Sequence, residues 1–220
     1  MSAHPDGDAV EDLRQAWLEL LETVTSCPQV DAVGHALLRS WAEPARCYHT
    51  LAHLRDVLDG VTQLAAHAAD VTAVRLAAWY HDAVYNGRPD DEANSAVRAE
   101  TELTSLGLAP ALIAEVSRLV RLTASHQPGP GDRNGETLCD ADLKILASPA
   151  DRYAGYTAAV RAEYAHVPQD AFRVGRSTIL RALLDAPAVY RTPHARQYWE
   201  AQARSNIRAE LDELRAPDDR

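Results

Sequence analysis

The chain has 220 residues, 32 acidic against 22 basic side chains and a formal charge of −10. That length supports one substantial core, and the acidic balance disfavours a nucleic-acid or anionic-membrane partner, since both surfaces need clustered Lys and Arg. Lys144 is the only lysine and Gly-x-x-x-x-Gly-Lys is absent, which removes Walker-type and nearly all Schiff-base chemistry.

Cys27, Cys47 and Cys139 are odd in number and lack Cys-x-x-Cys spacing, so they read as reduced thiols rather than a disulfide framework or a structural zinc site. Residues 1–10 show no basic-then-apolar leader, and no apolar run approaches the roughly 18 residues of a membrane span. The expected location is cytoplasmic, without membrane attachment. Oligomeric state is not encoded in any pattern.

Apolar residues recur at three and four almost throughout, β-branched runs are scarce, and no segment reads as a strand. Residues 8–26 place Leu13, Trp17, Leu20, Leu21 and Val24 on one face, and a second helix reaches Trp41. After Pro44, a third helix is expected from Arg46 to about Ala68. Asp70 caps a fourth, which runs through Ala77-Ala78-Trp79-Tyr80-His81-Asp82-Ala83-Val84-Tyr85 and stops near Asn86-Gly87. Asp91 caps a fifth ending at Gly107, and Pro110 opens a sixth that reaches His126. Residues 127–135 form the one long loop. A short helix over 138–146 follows, then Ser148-Pro149 starts a helix to Tyr164. Another spans 169–184, and Thr192-Pro193 begins the last pattern, which carries Trp199, Ile207 and Leu211. The expectation is an all-α, single-domain bundle of about nine helices over 1–220. Its parts are N-terminal helices (1–43), a core bearing the candidate metal site (44–147), C-terminal helices (148–214) and a charged tail (215–220).

His81-Asp82 stands inside an apolar run, where an imidazole and a carboxylate each need a partner. Alone, the pair reads as a core histidine bonded to a neighbouring oxygen. Partners exist elsewhere, however. His49 and His53 are four apart, His53 precedes His81 by one helix and a half, and Asp142 lies in an otherwise apolar segment where an uncompensated carboxylate would be costly.

The ordered set His53, His81-Asp82 and Ala141-Asp142-Leu143 resembles the HD-domain metal-dependent phosphohydrolases. The chain is most similar to a bacterial branch described as predicted metal-dependent HD phosphohydrolases. The matching stretches are Arg46-Cys47-Tyr48-His49-Thr50-Leu51-Ala52-His53, Trp79-Tyr80-His81-Asp82-Ala83-Val84-Tyr85, Glu92-Ala93-Asn94-Ser95-Ala96, Thr123-Ala124-Ser125-His126 and Asp140-Ala141-Asp142-Leu143, with a similar tail at 203–211. The resemblance spans about residues 44–212.

It implies an HD-like helical fold in which His53, His81, Asp82 and Asp142 bind a divalent ion. The donor chemistry suits Mn²⁺, Fe²⁺, Co²⁺, Ni²⁺ or Zn²⁺, and Mg²⁺ less comfortably. The implied activity is hydrolysis of a small phosphate ester, a nucleotide among the options, by metal-activated water. His49, Glu92 and His126 are candidates for the general acid or base and Arg46 for a phosphate clamp.

Each has a structural alternative. His49 could orient His53, His126 could cap its helix, Glu92 could answer a helix dipole, and Arg46 could form a surface ion pair. Asp140 reads as a hydrogen-bond partner rather than a ligand. Tyr153, Tyr156, Arg161, Glu163, Tyr164, Arg176 and Asn206 also match the branch and read as interhelical bonds. His4, His35, His67, His166 and His194 have no partner at useful spacing. Two other functions stay open: a non-catalytic nucleotide- or metal-binding regulatory module, and oxygen-dependent cleavage at a di-iron centre, which would need more ligands than four.

Overall fold

A computed structural model describes residues 5–215; His4 and the charged tail beyond Arg215 lie outside the described residues. Eleven α-helices follow in order: α1 (Pro5–Glu22), α2 (Val30–Trp41), α3 (Leu51–Leu64), α4 (Val71–Tyr80), α5 (Asp91–Ser105), α6 (Pro110–Leu122), α7 (Arg133–Asp142), α8 (Ala150–Glu163), α9 (Gln169–Asp185), α10 (Pro193–Tyr198) and α11 (Glu200–Arg215). A 3-10 turn, Leu143–Ala147, joins α7 to α8. No strand occurs among the described residues, as the scarcity of β-branched runs implies. Among the described residues no helix is long and apolar enough to cross a membrane.

α3, α4 and α7 pack on one another, α5 and α6 cover α4, α1 pairs with α2, and α11 lies against the 3-10 turn and α9. The stripes read from sequence meet in one core, where Trp17, Trp41, Trp79 and Tyr80 are buried with Leu37, Leu54, Leu76 and Leu103. Two of the buried indoles donate to backbone: Trp17 Nε1 to Val30 O at 2.8 Å and Trp41 Nε1 to Trp79 O at 3.0 Å. Gly34 lets α2 approach α1, because a Cβ there would collide with the Trp17 ring.

The count of helices exceeds the expected nine, and the reasons are local. Trp199 interrupts the last pattern and divides it into α10 and α11. The long loop is shorter than expected, because Asp132 accepts the Gly135 N–H at 3.0 Å and so caps α7 from Arg133. The expected cap at Asp70 is present, accepting from Ala73 N, whereas Asp91 is the first residue of α5 rather than its cap and Ser148 makes no cap bond; Thr192, where the last pattern restarts, accepts from Ala195 N.

Two further departures bear on the site. The third helix starts at Leu51, so His49 lies in irregular backbone before it rather than on its face. α4 stops at Tyr80, so His81-Asp82 occupies the turn after a helix rather than the middle of one. Just past the end of α4, arginines from other segments take the carbonyls that a longer helix would use. Arg46 Nη1 donates to Asp82 O at 2.8 Å, and Arg98 Nη1 to Ala83 O at 3.1 Å.

Candidate metal centre

The turn that holds His81 and Asp82 is fixed from both sides. Ala83 N bonds Tyr80 O, and Ser95 Oγ on α5 accepts from Val84 N at 3.0 Å. His81 Nδ1 donates to Ala78 O at 2.9 Å. That bond places the proton of the neutral ring on Nδ1 and leaves Nε2 as a lone-pair donor. Trp41 packs beside the ring with centroids 5.3 Å apart.

His53 comes from the first turn of α3, and its Nε2 lies 3.2 Å from His81 Nε2. Asp142 arrives at the end of α7, which runs close to α3 because Gly60 has no side chain. A Cβ on Gly60 would stand 3.0 Å from Ala141 Cβ and 3.1 Å from its Cα. Asp142 Oδ1 is consequently 3.2 Å from His53 Nε2 and 3.6 Å from His81 Nε2. Asp82 Oδ2 is 3.2 Å from His81 Nε2 and 3.9 Å from His53 Nε2.

The donor set fits a metal ion. Metal–nitrogen distances of about 2.0–2.1 Å put neighbouring donors about 2.8–3.4 Å apart in octahedral or tetrahedral shells. Most edges above fall close to that range. His53, His81 and Asp82 bring one donor atom each to within 4.8 Å of one another. Asp142 faces both imidazoles from α7. His53 and His81 are almost fully buried and the two carboxylates are nearly so.

Charge balance agrees with the geometry. Burial opposes a proton on His81, but Asp82 and Asp142 outweigh it and raise the imidazole to about 9. Burial opposes ionisation of Asp82 and Asp142 as well, yet the facing histidines hold both carboxyls below the usual range. Burial lowers His53, with Asp142 opposing. Two carboxylates facing two imidazoles thus create a point that favours positive charge.

His126 secures Asp142 from the other side. Its Nε2 donates to Asp142 Oδ2 at 2.7 Å, while Oδ1 faces the ligand histidines. It follows the end of α6 with φ 51°, the one described non-glycine residue in the left-handed region. Its backbone N–H bonds Leu122 O, whereas the imidazole is turned onto Asp142 and not onto the helix-end carbonyls.

His49 lies beside the centre, with Nε2 3.8 Å from Asp82 Oδ2 and its ring 5.5 Å from that of His53. Its Nδ1 donates to Glu163 Oε2 at 2.7 Å. Burial opposes its charge, but Asp82 and Glu163 raise it above the ordinary histidine range.

Arg46 does not face the site with an open fork. Its Nη1 donates to His49 O at 3.1 Å and to Asp82 O, Nη2 reaches Ala83 O at 3.5 Å, and the group lies between Trp41 and Tyr85. Nε is buried without a hydrogen-bond partner, with Glu43 3.7 Å away. The residue is neither a surface ion pair nor a solvent-facing clamp.

Glu92, in the first turn of α5, lines a cleft of about 260 Å³ with Tyr85, Gly87, Arg88, Pro89, Asp91 and Tyr164. Burial raises its carboxyl, and the Asp82 and Asp91 charges add to that. Tyr85 connects this cleft to the centre, because its ring stacks on His49 at 4.2 Å.

Asp140 is a hydrogen-bond partner, accepting from Arg191 N and Thr192 N, and so ties the start of α10 to α7. Arg161 bonds Gln169 Oε1 and the Tyr164 and Val167 carbonyls, all within eight residues, and Tyr164 lines the cleft beside Glu92; the other matched residues make interhelical bonds. Arg176 pairs with Glu210 and donates to Tyr156 OH at 2.9 Å, Tyr153 donates to Glu210, and Asn206 Nδ2 donates to Leu146 O and Ser148 O. Glu163 differs from the others, since it contacts the site through His49. No local pattern signals it, because 114 residues separate the two. Among the histidines set aside, His67 bonds Glu136 and His35 bonds Asp31, both away from the centre.

No family model matches the chain, and no match is found among the curated proteins or the solved structures.

Proposed function

We propose that the chain is an HD-domain-like, divalent-metal-dependent phosphohydrolase acting on a small phosphate ester, with nucleotides among its substrates. The observation that supports this reading best is the convergence of His53, His81, Asp82 and Asp142 from three separate elements, at donor spacing and with the His81 tautomer fixed for ligation. The chemistry supplied by such an ion is Lewis-acid polarisation of a phosphoryl oxygen and acidification of water.

The rest falls to the chain's own groups. His49 Nε2, beside Asp82 and not itself in the ligand set, takes or returns a proton at the reacting oxygens. His126 keeps Asp142 turned toward the histidines. Arg46 holds the His49 and Asp82 carbonyls together, which fixes the acid–base residue relative to a ligand. The cleft bounded by Tyr85, Arg88, Glu92 and Tyr164 receives the body of the substrate. A reducing, cytoplasmic setting suits the three free thiols.

The experiment is metal analysis of the purified protein joined to a panel of phosphomonoesters, phosphodiesters and nucleotides, assayed with Mn²⁺, Co²⁺, Ni²⁺, Zn²⁺ and Mg²⁺. Metal-dependent turnover of at least one member is expected. Tight nucleotide binding with no turnover of any member would replace the proposal with a regulatory module.

A further inference from the structure

We infer that Glu163 is the positioning residue of the acid–base histidine: from the end of α8 it fixes the tautomer and direction of His49, so that Nε2 is the bare nitrogen presented to the metal centre. The inference rests on the acid–base reading of His49 given above.

The position of Glu163 has no local explanation. It is the last residue of α8, where the helix dipole disfavours a negative charge, and its side chain is 3% exposed. A carboxylate buried there requires donors, and five are aimed at it. Oε1 accepts three consecutive backbone N–H groups, from Cys47 at 2.8 Å, Tyr48 at 2.8 Å and His49 at 3.0 Å. Oε2 accepts from His49 Nδ1 at 2.7 Å and from Tyr85 OH at 3.0 Å.

Those bonds determine the state of His49. An ionised carboxylate can only accept, so Nδ1 must carry the proton, and the neutral ring then has its lone pair on Nε2. Direction is fixed as well. Tyr85 stacks on the ring with an interplanar angle of 29°, and Tyr48 meets it edge-on at 4.8 Å. The backbone that carries His49 is outside α3, and the Glu163 bonds replace the helical ladder it lacks. One carboxylate therefore sets the backbone, the rotamer and the tautomer of the histidine.

Glu163→Gln in the full chain tests this. With the amide oxygen retained on the backbone N–H groups, the amide nitrogen faces His49 Nδ1 as a donor and moves the ring proton to Nε2. In ¹⁵N NMR of the metal-free protein under alkaline conditions, where the ring is neutral, wild-type His49 should show the Nδ1–H tautomer and Glu163→Gln the Nε2–H tautomer. On any substrate that the wild type hydrolyses, kcat should fall at least about tenfold, with KM and metal content unchanged, as expected when a general base loses its correct tautomer. In a His49→Ala background the same change should lower kcat no further.

An Nε2–H tautomer in the wild type overturns the inference, and this measurement does not require the variant to fold. So does a kcat loss that persists in the His49→Ala background, which would mark Glu163 as a general support of the fold. The NMR result decides the positioning role even if no phosphate ester is turned over, so failure of the hydrolase reading stays separate from failure of this one.

Discussion

His53 Nε2 and His81 Nε2 stand 3.2 Å apart, and the His81 Nδ1–H is committed to the Ala78 carbonyl. Two ring nitrogens face each other between two carboxylates, an arrangement that a shared cation stabilises. The double variant His81→Ala/Asp82→Ala should therefore lose bound divalent metal, read by elemental analysis of the purified protein. Wild-type protein stripped with a chelator should unfold at a lower temperature and recover its Tm when the ion is restored, by about 2.7 kcal/mol at a hundredfold excess over Kd. Full metal content in the double variant would exclude the site.

Gly60→Ala tests the approach of α3 to α7. The new Cβ meets the Ala141 Cα and carbonyl oxygen at 3.1–3.2 Å, and backbone cannot yield as a side-chain tip can. Overpacking of this kind costs about 1–3 kcal/mol, and the displaced α7 carries Asp142. Chemical denaturation should show the stability loss and titration calorimetry a weaker metal affinity. Unchanged metal affinity in the variant would mean that Asp142 is not placed by this contact.

Arg46→Ala removes a guanidinium bonded to backbone carbonyls at the end of α4 and ahead of α3. Hydrogen bonds that involve a charged group contribute about 1.5–3 kcal/mol, so the midpoint of denaturation should fall accordingly. Arg46→Lys should recover little, because one ammonium cannot span the same carbonyls. If Arg46 instead held substrate phosphate, Arg46→Ala would raise KM with stability intact.

Acid should weaken the contribution of Glu163. Burial pushes its carboxyl up, but the His49 bond and the backbone N–H groups outweigh this and hold it at about 2, against an ordinary 4.5. A carboxyl depressed in the folded state stabilises fully above its unfolded value and loses that contribution as pH falls through the folded one. The stability gap between wild type and Glu163→Gln, followed by urea denaturation, should thus be full near pH 5 and close between about 4.5 and 2, while the share that comes from the charged His49 fades as pH rises through the raised range of the imidazole. A gap that widens as pH falls below about 5 would contradict the assignment.

The sequence made the helical architecture legible because the apolar stripes are regular and few β-branched runs compete with them. Asp70, Pro110, Gly107 and Thr192 also announced their roles, since each acts within one turn of itself. Boundaries failed where distant side chains intervene. α4 reads as continuing to Asn86, yet Arg46 and Arg98, from other segments, take the carbonyls of Asp82 and Ala83. α3 reads as starting at Arg46, yet it starts at Leu51, and the N–H groups of Cys47, Tyr48 and His49 ahead of it are held by Glu163 from a distant segment.

The proximity of His53, His81, Asp82 and Asp142 was anticipated by spacing together with resemblance, whereas the duties of their neighbours were not. Arg46 looked available to a phosphate because nothing near it in sequence predicts its burial. His126 could be read as a helix cap or as a site residue; its side chain bonds Asp142, and only its backbone N–H meets the end of α6.

Trp41 lies beside both candidate ligand histidines, 5.3 Å from His81 and 6.2 Å from His53 between ring centroids. An indole so close to the centre makes the protein its own optical probe. Paramagnetic Co²⁺ or Ni²⁺ bound there should quench its emission while Zn²⁺ leaves it bright, and Trp41→Phe should abolish the contrast. Occupancy and exchange of the ion could then be followed in real time, before any substrate is known.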